Sequence, residues 1–131
     1  MERTWLRQIC GILTVSAFLG IGAPVWAHHS MAAYDHKNTI TLQGVITSVK
    51  WTNPHMLVYI DVKAPDGQTN NWIFEGGAVT AAINAGMSPK VLKPGALVKI
   101  TGRGHLDETK HMALLNEVEI DGKVYGRNGG Q

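Results

Sequence analysis

Alternation of apolar and polar residues predicts that most of the chain after residue 38 forms β-strands. The even-numbered residues from Met56 to Val62 are apolar and alternate with mostly polar neighbours, the period-two pattern of a half-buried strand. Residues 39–51 form a longer β-rich run whose apolar positions change parity. Gly44 sits near this change, where we expect a bulge or bend in a strongly curled first strand.

Turn signals divide the rest of the chain into short elements. Pro65-Asp66-Gly67 predicts a hairpin into a third strand over residues 69–75, with Trp72 and Phe74 on one face. Residues 78–85 are the only stretch that favours helix, and Gly86 is placed to end it in a left-handed cap, followed by the apolar Met87.

Two further strands follow the helix. Lys93-Pro94-Gly95 predicts a turn into a fourth strand over residues 96–102, with Val98 and Ile100 pointing inward. A polar loop over residues 104–110 then leads to a fifth strand. Four apolar residues of that strand are predicted to share one face: Met112, Leu114, Val118 and Ile120.

Five strands with one short helix between the third and the fourth predict an all-β fold, a small five-stranded OB-like Greek-key barrel over residues 39–126. A long bent first strand fits this barrel, because it serves both halves of the sheet. The main alternative, a fragment of a β-sandwich, leaves the helix unexplained.

The first 27 residues predict a secretory signal peptide. Arg3 and Arg7 precede an uncharged apolar run over residues 9–22, and Val25 and Ala27 are the small residues expected before a cleavage site. The run is shorter than the ~20 residues of a comfortable membrane span. We therefore expect a periplasmic or secreted protein that begins at His28 and has no membrane span after cleavage, with an extended lead-in over residues 28–38 and a flexible tail over 127–131.

Composition narrows the classes of function. Removing residues 1–27 from the 131 leaves 104, enough for one domain, and we expect a monomer. The single cysteine, Cys10, lies in the removed segment, so the exported chain has no thiol ligand and no disulfide. Cleavage also leaves ten Lys and Arg against nine Asp and Glu, and a charge near +1 argues against nucleic acid as a partner.

Strand register predicts where side chains from distant positions meet. If the second and third strands pair across the hairpin, residues whose numbers sum to 131 or 132 face each other. His55 then lies beside Glu75, and the turn at residues 52–54 brings Trp51 and Asn53 to the same place. These four residues, Trp51, Asn53, His55 and Glu75, are called the rim.

The histidines predict a metal site at the rim. Cleavage before His28 would leave a free amine and an imidazole on one residue, and the eleven-residue lead-in, which spans up to ~36 Å when extended, could bring them to His55. Three nitrogen donors favour Cu(II). His29 offers a competing mode through the amide nitrogen, and Glu75 would orient His55 by accepting a hydrogen bond from its ring. A copper carrier or sensor is favoured over an enzyme.

Several alternatives stay open from the sequence. The first two histidines could be a solvated tail, and His55 a turn residue bonded to a nearby carbonyl. His36, His105 and His111 are predicted as surface residues, and Met56 and Met112 as core filler. The rival functions are a metal-independent binding module for an oligosaccharide or small envelope ligand, which would stack on Trp51, Tyr59 and Trp72, and an envelope interaction module.

Several motifs resemble those of one family of small exported bacterial proteins, the domain-of-unknown-function family number 6152. They are the Ala27-His28-His29-Ser30 start, Asp35, Gly44, Trp51-Thr52-Asn53-Pro54-His55, residues 72–75 and Leu92-Lys93-Pro94-Gly95. The chain departs at Met31, where the family usually has an aromatic residue, and at Ala96, where an acidic one is usual. The resemblance implies export and a small β-rich domain without an established activity, and it places His28, His29, His55 and Glu75 on motif positions.

Overall fold

The structure is a computed structural model that describes residues 31–126. The predicted signal peptide, the first residues of the lead-in with His28 and His29, and the tail over residues 127–131 lie outside the described residues. The elements are β1 (Ile40–Lys50), β2 (Leu57–Lys63), β3 (Thr69–Glu75), α1 (Val79–Asn84), β4 (Leu97–Gly104), a 3-10 turn (Glu108–Lys110), β5 (Met112–Ile120) and β6 (Lys123–Gly126).

The first five strands close into a barrel. β1 pairs antiparallel with both β2 and β4, β2 pairs with β3, and β4 pairs with β5. A short parallel pairing of β3 with β5, from Ile73↔Met112 to Glu75↔Leu114, completes the circle. With α1 between β3 and β4, this is the predicted five-stranded OB-like barrel, and the fold class is confirmed.

The core fills the barrel interior with side chains from every barrel strand. Phe74, Ile46, Met56, Ile60 and Ile100 are among the largest fully buried side chains. The inward positions predicted for β2 and β4 are confirmed, and Met56 is core filler as expected.

The helix ends as the sequence predicts. Gly86 has φ +82°, its N–H donates to Ile83 O, and the N–H of Met87 donates to Ala82 O, which together form a Schellman cap. Met87 is buried in the core beneath the cap. The apolar residue after the glycine therefore fastens the short helix to the barrel.

The irregularity predicted in β1 is present, but its bulge lies three residues after Gly44. Pairing with β4 runs without a break through Gly44↔Val98. The register shift instead falls on the β2 side, between Ile46 and Ser48, where Thr47 is the extra residue. The bulge therefore lies on the β2 edge of the strand, and the pairing along the β4 edge stays regular.

The single face predicted for β5 is also wrong. Thr101 pairs with Glu117 but Gly102 pairs with Leu115, so Asn116 is an extra residue. Side-chain parity changes there: Ala113 and Leu115 face the core on one side of the bulge, and Val118 and Ile120 on the other. Met112 and Leu114 are only half-buried.

A sixth strand, β6, was not predicted. It pairs with the second half of β5 through a tight hairpin whose central residues, Asp121 and Gly122, have φ of 52° and 77°. Positive φ at both positions defines a type I′ turn, for which Asp-Gly is a favoured sequence. The Asp-Gly pair between two apolar segments was the signal that could have revealed this strand.

The end of the lead-in packs on the barrel. Tyr34 is 4% exposed and forms a bridge with His105, beyond the end of β4. The Asp35 carboxylate accepts hydrogen bonds from the backbone N–H groups of Lys37 and Asn38, and this turn leads the chain into β1.

No helix within residues 31–126 is long and apolar enough to cross a membrane.

Candidate functional site

The register predicted for β2 and β3 is confirmed, and it positions His55. The paired residues sum to 132, from Leu57↔Glu75 to Lys63↔Thr69. Backbone hydrogen bonds continue the ladder beyond both strands, since Gly76 N donates to Met56 O and Met56 N donates to Gly77 O. His55, one residue further out, therefore lies against the end of β3.

The His55 ring is held through one nitrogen. Its Nδ1 lies 3.1 Å from the carbonyl oxygen of Gly76 and 3.4 Å from Glu75 Oε1. Both partners can only accept, so Nδ1 carries the proton and donates. In the neutral ring Nε2 then has a free lone pair, and within residues 31–126 it makes no hydrogen bond. The side chain is 48% exposed, so this nitrogen can be reached by a ligand.

Glycine is required beside His55. A Cβ on residue 76 would lie 2.8 Å from Met56 Cγ, closer than packed carbons approach, and would also touch Leu115 Cδ2 at 3.4 Å. Absence of a side chain lets the backbone of residue 76 sit against the buried Met56. Its carbonyl then reaches the imidazole.

Glu75 connects His55 to the lead-in. Its side chain is 17% exposed, and while Oε1 faces His55, Oε2 accepts a hydrogen bond of 3.1 Å from the Tyr34 hydroxyl. Burial, followed by the nearby Glu75 charge and this hydrogen bond, raises the pKa of Tyr34 to about 12. Tyr34 is therefore a neutral donor at physiological pH. This role of Tyr34 was not predicted from the sequence, although a single large aromatic residue in a polar lead-in could have indicated it.

The other two rim residues hold the structure around the site. Asn53 Oδ1 accepts the N–H of Val79, 26 residues away, and so caps α1, whose own N-cap Ala78 has no capping side chain. Trp51 is partly buried and packs against the core. Both residues fix the β1–β2 loop that carries His55.

The predicted ligands are only partly described. His28 and His29 lie outside the described residues. Within residues 31–126, no group of three or more His, Cys, Asp or Glu side chains is arranged to hold a metal ion. His55 with Glu75 is thus one imidazole and its carboxylate partner.

A second candidate region, the loop pocket, lies at the β4–β5 loop. His105 and His111, predicted as surface residues, are half-buried there: the His105 ring packs edge-on against Tyr34 at 5.3 Å, and His111 stacks on Trp72 at 5.1 Å. Together they border a cavity of about 380 Å³. It is lined by Asp35, Asn38, Ile40, Trp72, Gly104, His105, Leu106, Asp107, Glu108, His111 and Met112.

The fold and these two regions define a small closed β-barrel with one imidazole–carboxylate pair and one aromatic pocket on its surface. Residues 17–114 match the family of unknown function DUF6152. The chain belongs to that family. No curated protein matches the chain.

Proposed function

We propose that this protein is exported, begins at His28 after processing, and binds one copper ion through His28 and His55. The observation that carries the proposal is the orientation of His55, with Nδ1 donating to Gly76 and Glu75 and Nε2 free. Metal-binding histidines typically donate their second ring nitrogen to a carboxylate or a backbone carbonyl in this way. The carbonyl contact considered as an alternative role for His55 is therefore compatible with a ligand role.

The remaining donors are proposed to come from the processed N-terminus. Six residue steps separate His28 from Tyr34, which is bonded to Glu75, and an extended chain of that length spans up to about 20 Å. The terminal amine, with an ordinary pKa near ~7.7, can yield its proton to a metal at neutral pH. Two imidazoles and an amine in one plane favour Cu(II) over other divalent ions.

A copper titration of the processed protein tests the proposal. One variant carries a single extra residue before His28, which removes the amine chelate, and a second is His55→Ala. Each should weaken copper binding by more than tenfold, about 1.4 kcal/mol. His36→Ala, at an exposed histidine whose Nδ1 lies 3.2 Å from Arg103, is the matched control and should bind like the parent. If both test variants bind copper as tightly as the parent, the site does not exist.

The processing step has its own test. Intact-mass measurement of the exported protein should give a chain that begins at His28. A chain that retains residues 1–27, or one that begins at Ser30, would remove the amine donor and with it the copper proposal.

The loop pocket supports a second candidate function, binding of a neutral oligosaccharide or another small envelope ligand. Of the three stacking residues expected from the sequence, Tyr59 and Trp72 lie on opposite faces of the sheet, since Tyr59 pairs with Ile73 and Trp72 with Ile60. Trp72 alone lines the loop pocket, beside the amide of Asn38 and the imidazole of His111. An aromatic plane with planar polar groups suits sugar hydroxyls, and β4–β5 loops of OB barrels are used for such ligands.

Titration with chitobiose and maltose as probes, followed by tryptophan fluorescence, tests this second function. Binding should persist with a chelator and be lost in His111→Ala, whereas His55→Ala should leave it unchanged. Absence of binding to both sugars, or equal binding by His111→Ala, would contradict it.

A further inference from the structure

A groove with a basic edge lies between the turn before β4 and the β5–β6 hairpin, and it takes no part in the sites described above. Its volume is about 470 Å³. It is lined by Lys90, Val91, Lys93, Ala96, Leu97, Ile120, Asp121, Lys123 and Tyr125. We call it the basic groove.

The lysines of the basic groove are not neutralised by carboxylates. Lys90, Lys93 and Lys123 make no ion pair within residues 31–126, and Asp121 is the one acidic residue among the lining residues. Lys123 Nζ lies 5.2 Å from the centre of the Tyr125 ring. Lys99 on β4 differs, because its Nζ lies 2.6 Å from Glu119. The residues that line the groove therefore carry a net positive charge that no ion pair within residues 31–126 balances.

Exposed apolar side chains adjoin these charges. Leu97, which lines the groove, is 59% exposed, and its neighbour across the β1–β4 ladder, Val45, is 40% exposed. The residues that follow them, Ile46 and Val98, point into the core, so Val45 and Leu97 both face outward. One patch of the barrel surface therefore combines apolar side chains with free lysines.

We propose that the basic groove and the Val45–Leu97 pair dock on the surface of an anionic lipid bilayer. Lysines near such a surface are attracted to the negative headgroups, and their apolar stems lie along the interface while the ammonium groups stay in water. Leu97 and Val45 then enter the boundary between headgroups and acyl chains. A small soluble anion would neutralise the lysines but leave both apolar side chains in water, so the bilayer satisfies both halves of the patch. This proposal is independent of copper binding.

Vesicle co-sedimentation at low ionic strength tests the proposal. The parent is compared on vesicles of phosphatidylglycerol with phosphatidylethanolamine and on vesicles of phosphatidylcholine alone. The test variant combines Lys90→Glu, Lys93→Glu and Lys123→Glu. The control combines Lys37→Glu, Lys50→Glu and Lys63→Glu, which changes the net charge equally but lies outside the groove. All variants have the same N-terminal residues, so binding contributed by residues 1–30 is common to them.

The parent should bind the anionic vesicles, and the groove variant should bind at least about tenfold more weakly while the control stays within about twofold of the parent. Leu97→Ser should also weaken binding, and Leu106→Ser, at the equally exposed Leu106 of the loop pocket, should not. Equal losses in groove and control variants would mean attraction by net charge only and would overturn the proposal. Release by millimolar glycerol phosphate, with no effect of Leu97→Ser, would instead identify a soluble-anion site and overturn it as well.

Discussion

The Tyr34 hydroxyl donates a hydrogen bond to Glu75 Oε2 over 3.1 Å, between residues 41 positions apart. The other oxygen of the same carboxylate lies 3.4 Å from His55 Nδ1. One side chain therefore fixes both the end of the lead-in and the orientation of the candidate ligand. The position of Tyr34 and the orientation of the rim histidine are therefore coupled through one part-buried carboxylate.

This contact predicts that one tyrosine has a raised pKa. The pKa of Tyr34 is raised from 10.0 to about 12 because burial and Glu75 disfavour the phenolate. Its contribution to stability is therefore complete below pH ~10 and is lost as the pH rises towards about 12. Ultraviolet titration should resolve one such midpoint among the three tyrosines. Tyr34→Phe should abolish it, and a late midpoint that persists in this variant would contradict the assignment.

Glu75 is predicted to be a positioning residue for copper. Glu75→Gln removes the charge that holds His55 and should weaken copper binding by about 10- to 100-fold, the usual effect of losing such a partner. Tyr34→Phe keeps the carboxylate beside His55 and is the control, with copper affinity within about threefold of the parent. Isothermal titration of both variants measures this, and an unchanged affinity in Glu75→Gln would mean that Glu75 serves only the fold.

Adjacent glycines give a matched test of the packing beside His55. Gly76→Ala places a Cβ 2.8 Å from Met56 Cγ in the core and should lower the free energy of unfolding by about 1–3 kcal/mol. Gly77→Ala meets no atom within 4 Å and should be near neutral. Chemical denaturation of the two variants checks this, and equal stabilities would show that the close approach has no cost.

The cap on α1 predicts a local stability effect. Asn53→Ala removes the acceptor of the Val79 N–H and should lower the free energy of unfolding by about 1 kcal/mol. Thr52→Ala is the control, since the one hydrogen bond of the Thr52 hydroxyl within residues 31–126 is to the carbonyl of Asn53 at 3.4 Å. Thermal unfolding distinguishes them, and a larger loss in Thr52→Ala would contradict the capping role.

Local sequence patterns were sufficient to predict the five barrel strands, the helix and part of the candidate site. The hairpin at Pro65-Asp66-Gly67 fixes the register of β2 and β3, because a short turn leaves few possible pairings. From that register alone, His55 is predicted to lie beside Glu75. The change of apolar parity within residues 39–51 marks the bulge at Thr47, although Gly44 placed it three residues early. The bulge at Asn116 was missed, because residues 112–115 are all apolar and do not show which face is buried.

Side-chain periodicity and turn chemistry within a few residues fix the five barrel strands, the single helix with its Gly86 cap, and the pairing of β2 with β3. The folded barrel is needed to see the contact of Tyr34 with Glu75, the stacking of His111 on Trp72, and the grouping of Lys90, Lys93 and Lys123 around Leu97. These contacts join segments that are distant in sequence, and their geometry follows from barrel closure and strand twist. No local pattern encodes a distance across a closed sheet.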